Sequence, residues 1–220
     1  MRFEKRDKLV MIGDSITDCG RARPYGEGRV EARGSGYVMQ TDSLLQSAYP
    51  SLGIRVINMG ISGNTVRDLQ ERWKSDVLDL KPDWLSILIG INDVWRQYDA
   101  PLMTEKHVYL EEYAEVLEKL VFETRSQLKG LVLMTPFYLE PNEQDPMRAT
   151  MDAYGAVVRR IAEKYDTVFV DTQAAMDQLL KHNYAAALAW DRVHPNQSGH
   201  MAIARAFLNA VGFDWRGEEA

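Results

Sequence analysis

Five short apolar runs punctuate the chain, each of strand length and each ending in turn-forming residues: KLVMIG (8–13), IRVINMG (54–60), WLSILIG (84–90), GLVLMTP (130–136) and TVFVDT (167–172). Several are apolar at almost every position instead of at alternate ones, which is the pattern of strands covered on both faces. Segments with helical periodicity lie between them, at about 36–48, 65–80, 105–128, 147–164 and 173–182, with a last one near 196–210. This alternation predicts a parallel sheet with helices on both sides, joined by right-handed crossovers. The polar stretch LEPNEQDPMR (139–148) reads as a long loop at the rim. No internal repeat, low-complexity tract or linker-like composition interrupts the series, so residues 1–220 read as a single domain.

In a sheet of this kind the working surface lies beyond the carboxyl ends of the strands, so the residues that follow each run matter most. Ser15 follows the first run in GDS, Gly63 follows the second in NMGISGN, and Asn92 follows the third in GINDVW. Asp191 and His194 stand in WDRVHPNQSGH, before the last helix. Together these supply what ester hydrolysis needs: a nucleophile, a base, a group that orients the base, and donors for the developing oxyanion. Ser15 would attack, His194 would take its proton, and Asp191 would hold the imidazole in the correct tautomer. The backbone N–H groups of Ser15 and Gly63 and the amide of Asn92 would face the oxyanion. The three-residue spacing of Asp191 and His194 lets one turn of chain bring them together. Pro195 disfavours helical geometry at His194 and so predicts that the imidazole is presented from a loop.

Charge and cysteine usage remove several other functions. Lys and Arg number 26 against 32 Asp and Glu, a formal net charge of −6, which offers no basic surface to nucleic acid or anionic lipid. The opening MRFEKRDKLV fits neither a secretory signal nor a membrane span, and a cytoplasmic location without membrane contact is expected. Cys19 is the only cysteine, which rules out an internal disulfide and any multi-cysteine zinc site; it reads as an ordinary buried thiol. His107, His182 and His200 read as structural. Asp14 and Asp93 read as acceptors of loop hydrogen bonds that hold their catalytic neighbours in place.

The blocks GDS (13–15), GISGN (60–64), GIND (90–93) and DRVHP (191–195), in that order, resemble the SGNH or GDSL hydrolase family. Isoleucine stands in GDSIT where the family's name has leucine, a like-sized apolar exchange. The resemblance implies a three-layer α/β/α sandwich, flavodoxin-like in outline, around a central five-stranded parallel sheet. It also implies serine esterase chemistry without metal or cofactor, with Ser15, Asp191 and His194 as the triad and Ser15, Gly63 and Asn92 as the oxyanion donors. Within the family the chain is similar to the compact bacterial enzymes that deacetylate carbohydrates, acetylxylan esterases in particular. The implied substrate is therefore an acetylated oligosaccharide, and the implied assembly a homo-oligomer. Trp190, Tyr184 and Trp95 lie in or near rim segments and are candidates for stacking on sugar rings.

Other readings stay open at the level of sequence. A short-chain lipase, lysophospholipase or thioesterase of the same family would use the same residues. A magnesium-dependent phosphoryl transferase would use Asp14 and Asp18, although no P-loop pattern accompanies them. A flavodoxin-type nucleotide module finds only GEGRVE (26–31), which lacks the third glycine and does not follow a strand. The ordinary α/β-hydrolase elbow, G-x-S-x-G, is missing because Thr17 occupies its last position.

Overall fold

A computed structural model describes residues 1–218; the last two residues of the range read as one domain, 219–220, lie outside the described residues. Strands β1 (Lys8–Gly13), β2 (Arg55–Asn58), β3 (Trp84–Leu88), β4 (Gly130–Met134) and β5 (Val168–Val170) form one sheet in the order β2-β1-β3-β4-β5. Every pairing is parallel, with Val10 opposite both Ile57 and Leu85, and Leu85 opposite Leu131. Every residue of β3 and β4 is buried, as the unalternating apolar runs required.

The helices are α1 (Ser15–Asp18), α2 (Tyr37–Ala48), α3 (Val66–Trp73), α4 (Ile91–Asp99), α5 (Leu110–Arg125), α6 (Pro146–Lys164), α7 (Thr172–Leu180), α8 (Ala185–Leu188) and α9 (Gln197–Ala210). One group, α2, α7 and α9, packs together; α3, α5, α6 and α4 make a second group. With the sheet between them this is the expected three-layer α/β/α architecture. Helix α9 shows how the pattern works: Ile203, Ala204, Phe207 and Leu208 fall on one face at helical spacing and are fully buried. Each large apolar side chain so buried contributes about 1.5–3 kcal/mol relative to exposure. Asn196 caps α9 by accepting the Ser198 and Gly199 N–H groups at 3.0 and 3.2 Å, which fixes where the loop carrying His194 ends.

Three expectations change. The segment after β3, to which the periodicity assigns no helix, is the helix α4. Gly90 starts it with φ of +127°, and Ile91, Val94 and Trp95 supply one short helical stripe that nine residues make hard to tell from a strand end. The long helix expected over 105–128 is a 3₁₀ turn at Thr104–Lys106 followed by α5 from Leu110. The helix expected over 65–80 widens into a single π turn at Lys74–Leu78 after α3. The stretch 139–145 carries no helix or strand, and Pro146 then begins α6, with Asp145 accepting from the Met147 and Arg148 N–H groups.

Candidate active site

Because β1 lies between β2 and β3, the segments that leave these neighbouring strands meet at one edge of the sheet. Gly13 ends β1 where a Cβ would sit 2.2 Å from the Leu88 carbonyl oxygen and 2.4 Å from Thr17 Oγ1, so only glycine lets the strand close against both β3 and α1. Asp14 then accepts the Ile16 N–H at 2.9 Å and turns the chain into α1, whose first residue is Ser15.

Ser15 Oγ lies 2.8 Å from His194 Nε2, and His194 Nδ1 lies 2.6 Å from Asp191 Oδ2. A carboxylate only accepts, so Nδ1 carries the proton and the Nε2 lone pair is left to receive the Ser15 hydroxyl hydrogen. The other carboxylate oxygen, Asp191 Oδ1, accepts the Val193 and His194 N–H groups at 3.0 and 2.9 Å. Burial works against the charge on Asp191, but these two N–H groups and the imidazole together hold its carboxyl below the usual carboxylate range. The imidazole is presented from a non-helical turn that ends at Pro195, as expected.

The Ser15 and Gly63 N–H groups donate to no acceptor among the described residues. Asn92 spends one amide hydrogen on the Asn64 carbonyl at 2.9 Å, keeping the other. Gly63 adopts φ of +84°, a conformation that favours glycine, and a Cβ there would meet no protein atom within 4 Å. Ser15, Gly63, Asn92 and His194 all line one cleft of about 630 Å³. Its remaining lining residues are mostly of polar type, with Ser62, Thr65, Arg67, Asp68 and Glu71 among them.

Trp95 also lines the cleft, its ring 5.7 Å from that of His194 with Arg96 stacked on it at 4.4 Å. Trp190 and Tyr184 are 84% and 79% exposed and do not line the cleft. Sequence reasoning did not find Arg67, Arg96 and Lys106 of the cleft wall: Arg67 and Lys106 have no motif beside them, and GINDVW, although it precedes Arg96, does not say which way that side chain points.

The aspartates beside the site are tied into the protein. Asp18 accepts both the N–H and the hydroxyl of Ser62, at 3.0 and 3.1 Å, and pairs with Arg23 at 2.7 Å. It thereby joins α1 to the loop that carries Gly63. Both carboxyls that raised the magnesium reading, Asp14 and Asp18, are thus engaged by protein donors, and no group of three or more His, Cys, Asp or Glu among the described residues is arranged around a common metal position. Cys19 is only partly buried, a correction to its reading as a buried thiol, since it caps the exposed end of α1. His200 accepts the Tyr37 N–H at Nδ1 and so offers its Nε2–H to Cys19 Sγ at 3.4 Å. Burial first, and the nearby His194 second, push the His200 pKa down to about 4, which keeps it neutral.

Asp14 and Asp93 are both fully buried, and burial pushes each carboxyl up to about 7. Asp93 accepts the Val66 N–H at 3.0 Å, joining α4 to α3, while its Oδ2 has no partner among the described residues. Between about pH 4 and 7 the folded protein therefore holds protons that the unfolded chain releases, and these groups make stability fall as pH rises through that window. Asp93→Asn keeps the acceptor but cannot ionise. Its stability relative to the parent should improve by on the order of 1–4 kcal/mol between pH 5 and pH 8, read from urea midpoints. An equal difference at both pH values would show that Asp93 does not titrate there.

Residues 11–202 match the GDSL-like lipase/acylhydrolase family. The chain is 64% identical over 215 residues, 98% of each chain, to an acetylxylan esterase of Geobacillus stearothermophilus. It superposes on the crystal structure of that organism's Axe2 S15A catalytic mutant with a TM-score of 0.98, at 62% identity and 100% coverage of both chains. D191A and H194A are likewise catalytic mutants of Axe2. LAE5, an alpha/beta hydrolase from the metagenome of Lake Arreo in Spain, aligns with a TM-score of 0.95 at 52% identity over 97% of this chain and 98% of its own. No helix among the described residues is long and apolar enough to cross a membrane. With its four sequence blocks gathered at one sheet edge and this match over most of its length, the chain belongs to the GDSL-like lipase/acylhydrolase family.

Proposed function

We propose that the chain is a serine esterase that removes acetyl groups from acetylated xylo-oligosaccharides. The observation that carries this reading is the hydrogen-bonded line Asp191–His194–Ser15, at 2.6 and 2.8 Å, opening on a cleft beside uncommitted N–H donors. The substrate class comes from the Geobacillus relative, an acetylxylan esterase. The cleft agrees with it, because the charged and hydroxyl side chains among its lining residues can bond sugar hydroxyls, whereas a long alkyl chain would strip water from those charged groups without replacing it.

Ser15 Oγ attacks the acetyl carbonyl carbon while its proton passes to His194 Nε2. The carbonyl oxygen takes up the negative charge and is met by the Ser15 and Gly63 N–H groups and the Asn92 amide, donors each typically worth about 3–4 kcal/mol in such a transition state. Collapse breaks the bond to the sugar oxygen, which leaves with the proton from His194. Water, deprotonated by the same imidazole, then attacks the acetyl-serine, and acetate departs as Ser15 Oγ takes that proton from His194 Nε2. Asp191 remains ionised throughout and stabilises the imidazolium.

The test is acetate release from acetylated xylo-oligosaccharides, together with p-nitrophenyl esters of two, four and eight carbons. Acetate should be the best acyl group, with kcat/KM falling along the series. Preference for butyrate or octanoate would move the protein to the lipase or thioesterase side of its family. We further propose a cytoplasmic homo-oligomer: a lone thiol suits a reducing compartment, and Trp190, Tyr184 and Trp215 expose aromatic surface of the kind enriched at interfaces. Light scattering tests the assembly.

A further inference from the structure

Arg72, on α3, is almost out of solvent, with 12% of its side chain exposed. Its guanidinium reaches the segments that carry Ser15 and Gly63 directly, and Asn92 through Asn64. Nη2 donates to the Gly13 carbonyl at 3.0 Å, two residues before Ser15. Nη1 donates to the Met59 carbonyl at 2.7 Å, where the chain leaves β2, and to Asp76 at 2.7 Å, which balances the charge. Nε donates to Asn64 Oδ1 at 2.7 Å, and Asn64 is both the neighbour of Gly63 and the residue whose carbonyl holds the Asn92 amide. Four of the five guanidinium hydrogens are thereby assigned, in directions set by one rigid planar group.

We propose that Arg72 is a positioning residue for the reaction: its guanidinium, bonded to Gly13, Met59 and Asn64 at once, sets the distances among the Ser15 N–H, the Gly63 N–H and the Asn92 amide. The inference rests on the esterase reading of Ser15. The physical argument is that an oxyanion hole works only when its donors are held in place before charge develops. The Gly63 segment has no strand or helix of its own to hold it. Its other ties to the β1–α1 region include the Ile61 N–H donating to the Gly13 carbonyl at 3.0 Å, the Ser62–Asp18 pair, and Arg21 Nε donating to the Gly60 carbonyl at 2.6 Å. The Ile61 tie reaches Asn64 only through its backbone, by the Asn64 N–H on the Ile61 carbonyl at 3.2 Å, whereas Arg72 holds the Asn64 side chain itself.

Loosened donors weaken the transition state more than the bound ester, and this separates the role from a purely structural one. Arg72→Met should lower kcat for p-nitrophenyl acetate by about 10- to 100-fold with KM changed by less than about threefold. Binding of methylboronic acid, whose serine adduct is tetrahedral and anionic like the intermediate, should weaken in parallel. In the Arg72→Met/Asn92→Ala double variant the two losses should fall well short of multiplying, because both act on the same donor. Asn64→Ala removes only the side-chain link and should cost kcat at least about fivefold, so it decides the question even if Arg72→Met does not fold.

A loss confined to KM, fully multiplicative losses in the double variant, or Asn64→Ala kcat within about twofold of the parent would each overturn the proposal. Ser15→Ala is measured alongside. Retained turnover there sinks the esterase reading itself, whereas an inactive Ser15→Ala with an unaffected Asn64→Ala sinks only the role of Arg72.

Discussion

Ser15→Ala should leave the protein folded and reduce acetyl-ester turnover by on the order of 10⁴–10⁶-fold, the loss expected when a triad nucleophile is removed and only binding and the oxyanion donors remain. The substitution deletes one oxygen from a partly exposed position at the start of α1. The turn itself is held by the Asp14 cap and by the Thr17 and Asp18 N–H groups donating to the Asp14 carbonyl at 3.2 and 2.9 Å, none of which uses the serine side chain. Thermal melting should therefore be nearly unchanged while p-nitrophenyl acetate hydrolysis disappears. Turnover within tenfold of the parent would remove Ser15 from the mechanism, and His194 with it, since the imidazole has no other hydroxyl hydrogen-bonded to it among the described residues.

Asp191→Asn is the more discriminating experiment, because it changes the chemistry and keeps the geometry. The amide oxygen can still accept the Val193 and His194 N–H groups, so the turn that presents the ring should persist. What reverses is the partner of His194 Nδ1. An amide NH₂ facing Nδ1 makes that nitrogen an acceptor, which places the ring proton on Nε2, pointing at Ser15 where a lone pair is needed. The imidazolium formed during attack also loses its counter-charge. A fall in kcat on the order of 10³–10⁴-fold is expected with little change in KM. If kcat stays within tenfold, the Asp191 charge and the tautomer it selects are dispensable. Asp191→Ala removes the acceptor for the two N–H groups as well, and so should lose thermal stability that Asp191→Asn keeps.

Much of this site was legible because its parts are local. GDS follows an uninterrupted apolar run, and a strand must end where Gly13 turns into Asp14 and Ser15. Asp191 and His194 are three residues apart with Pro195 behind them, so one turn brings them into contact whatever the rest of the chain does. The bracing role of Asp14 was readable for the same reason, since it bonds the Ile16 N–H two residues on, whereas the partner of Asp93 is the Val66 N–H, 27 residues away, which only the fold supplies. Helix α4 was missed because its stripe of Ile91, Val94 and Trp95 continues an apolar strand with only Gly90 between. Arg72 has no sequence signature at all. Two of its partners are backbone carbonyls, 13 and 59 residues away, and a carbonyl is the same in every residue type.

The amino-acid sequence alone determined the alternation of strand and helix and the parallel sheet, which follow from periodicity, and it marked Ser15, His194 and Asp191 as candidates for nucleophile, base and orienting carboxylate through short spacings and the resemblance of four blocks to a known family. Only the tertiary structure decided that β1 lies between β2 and β3, and with it that Ser15, Gly63 and Asn92 share a cleft with His194. It also decided that Trp95 lines that cleft while Trp190 and Tyr184 stand outside it. The reason is range: neighbours along the chain constrain one another through a few bonds, whereas strand order and the direction in which a rim side chain points are set by how the whole core packs.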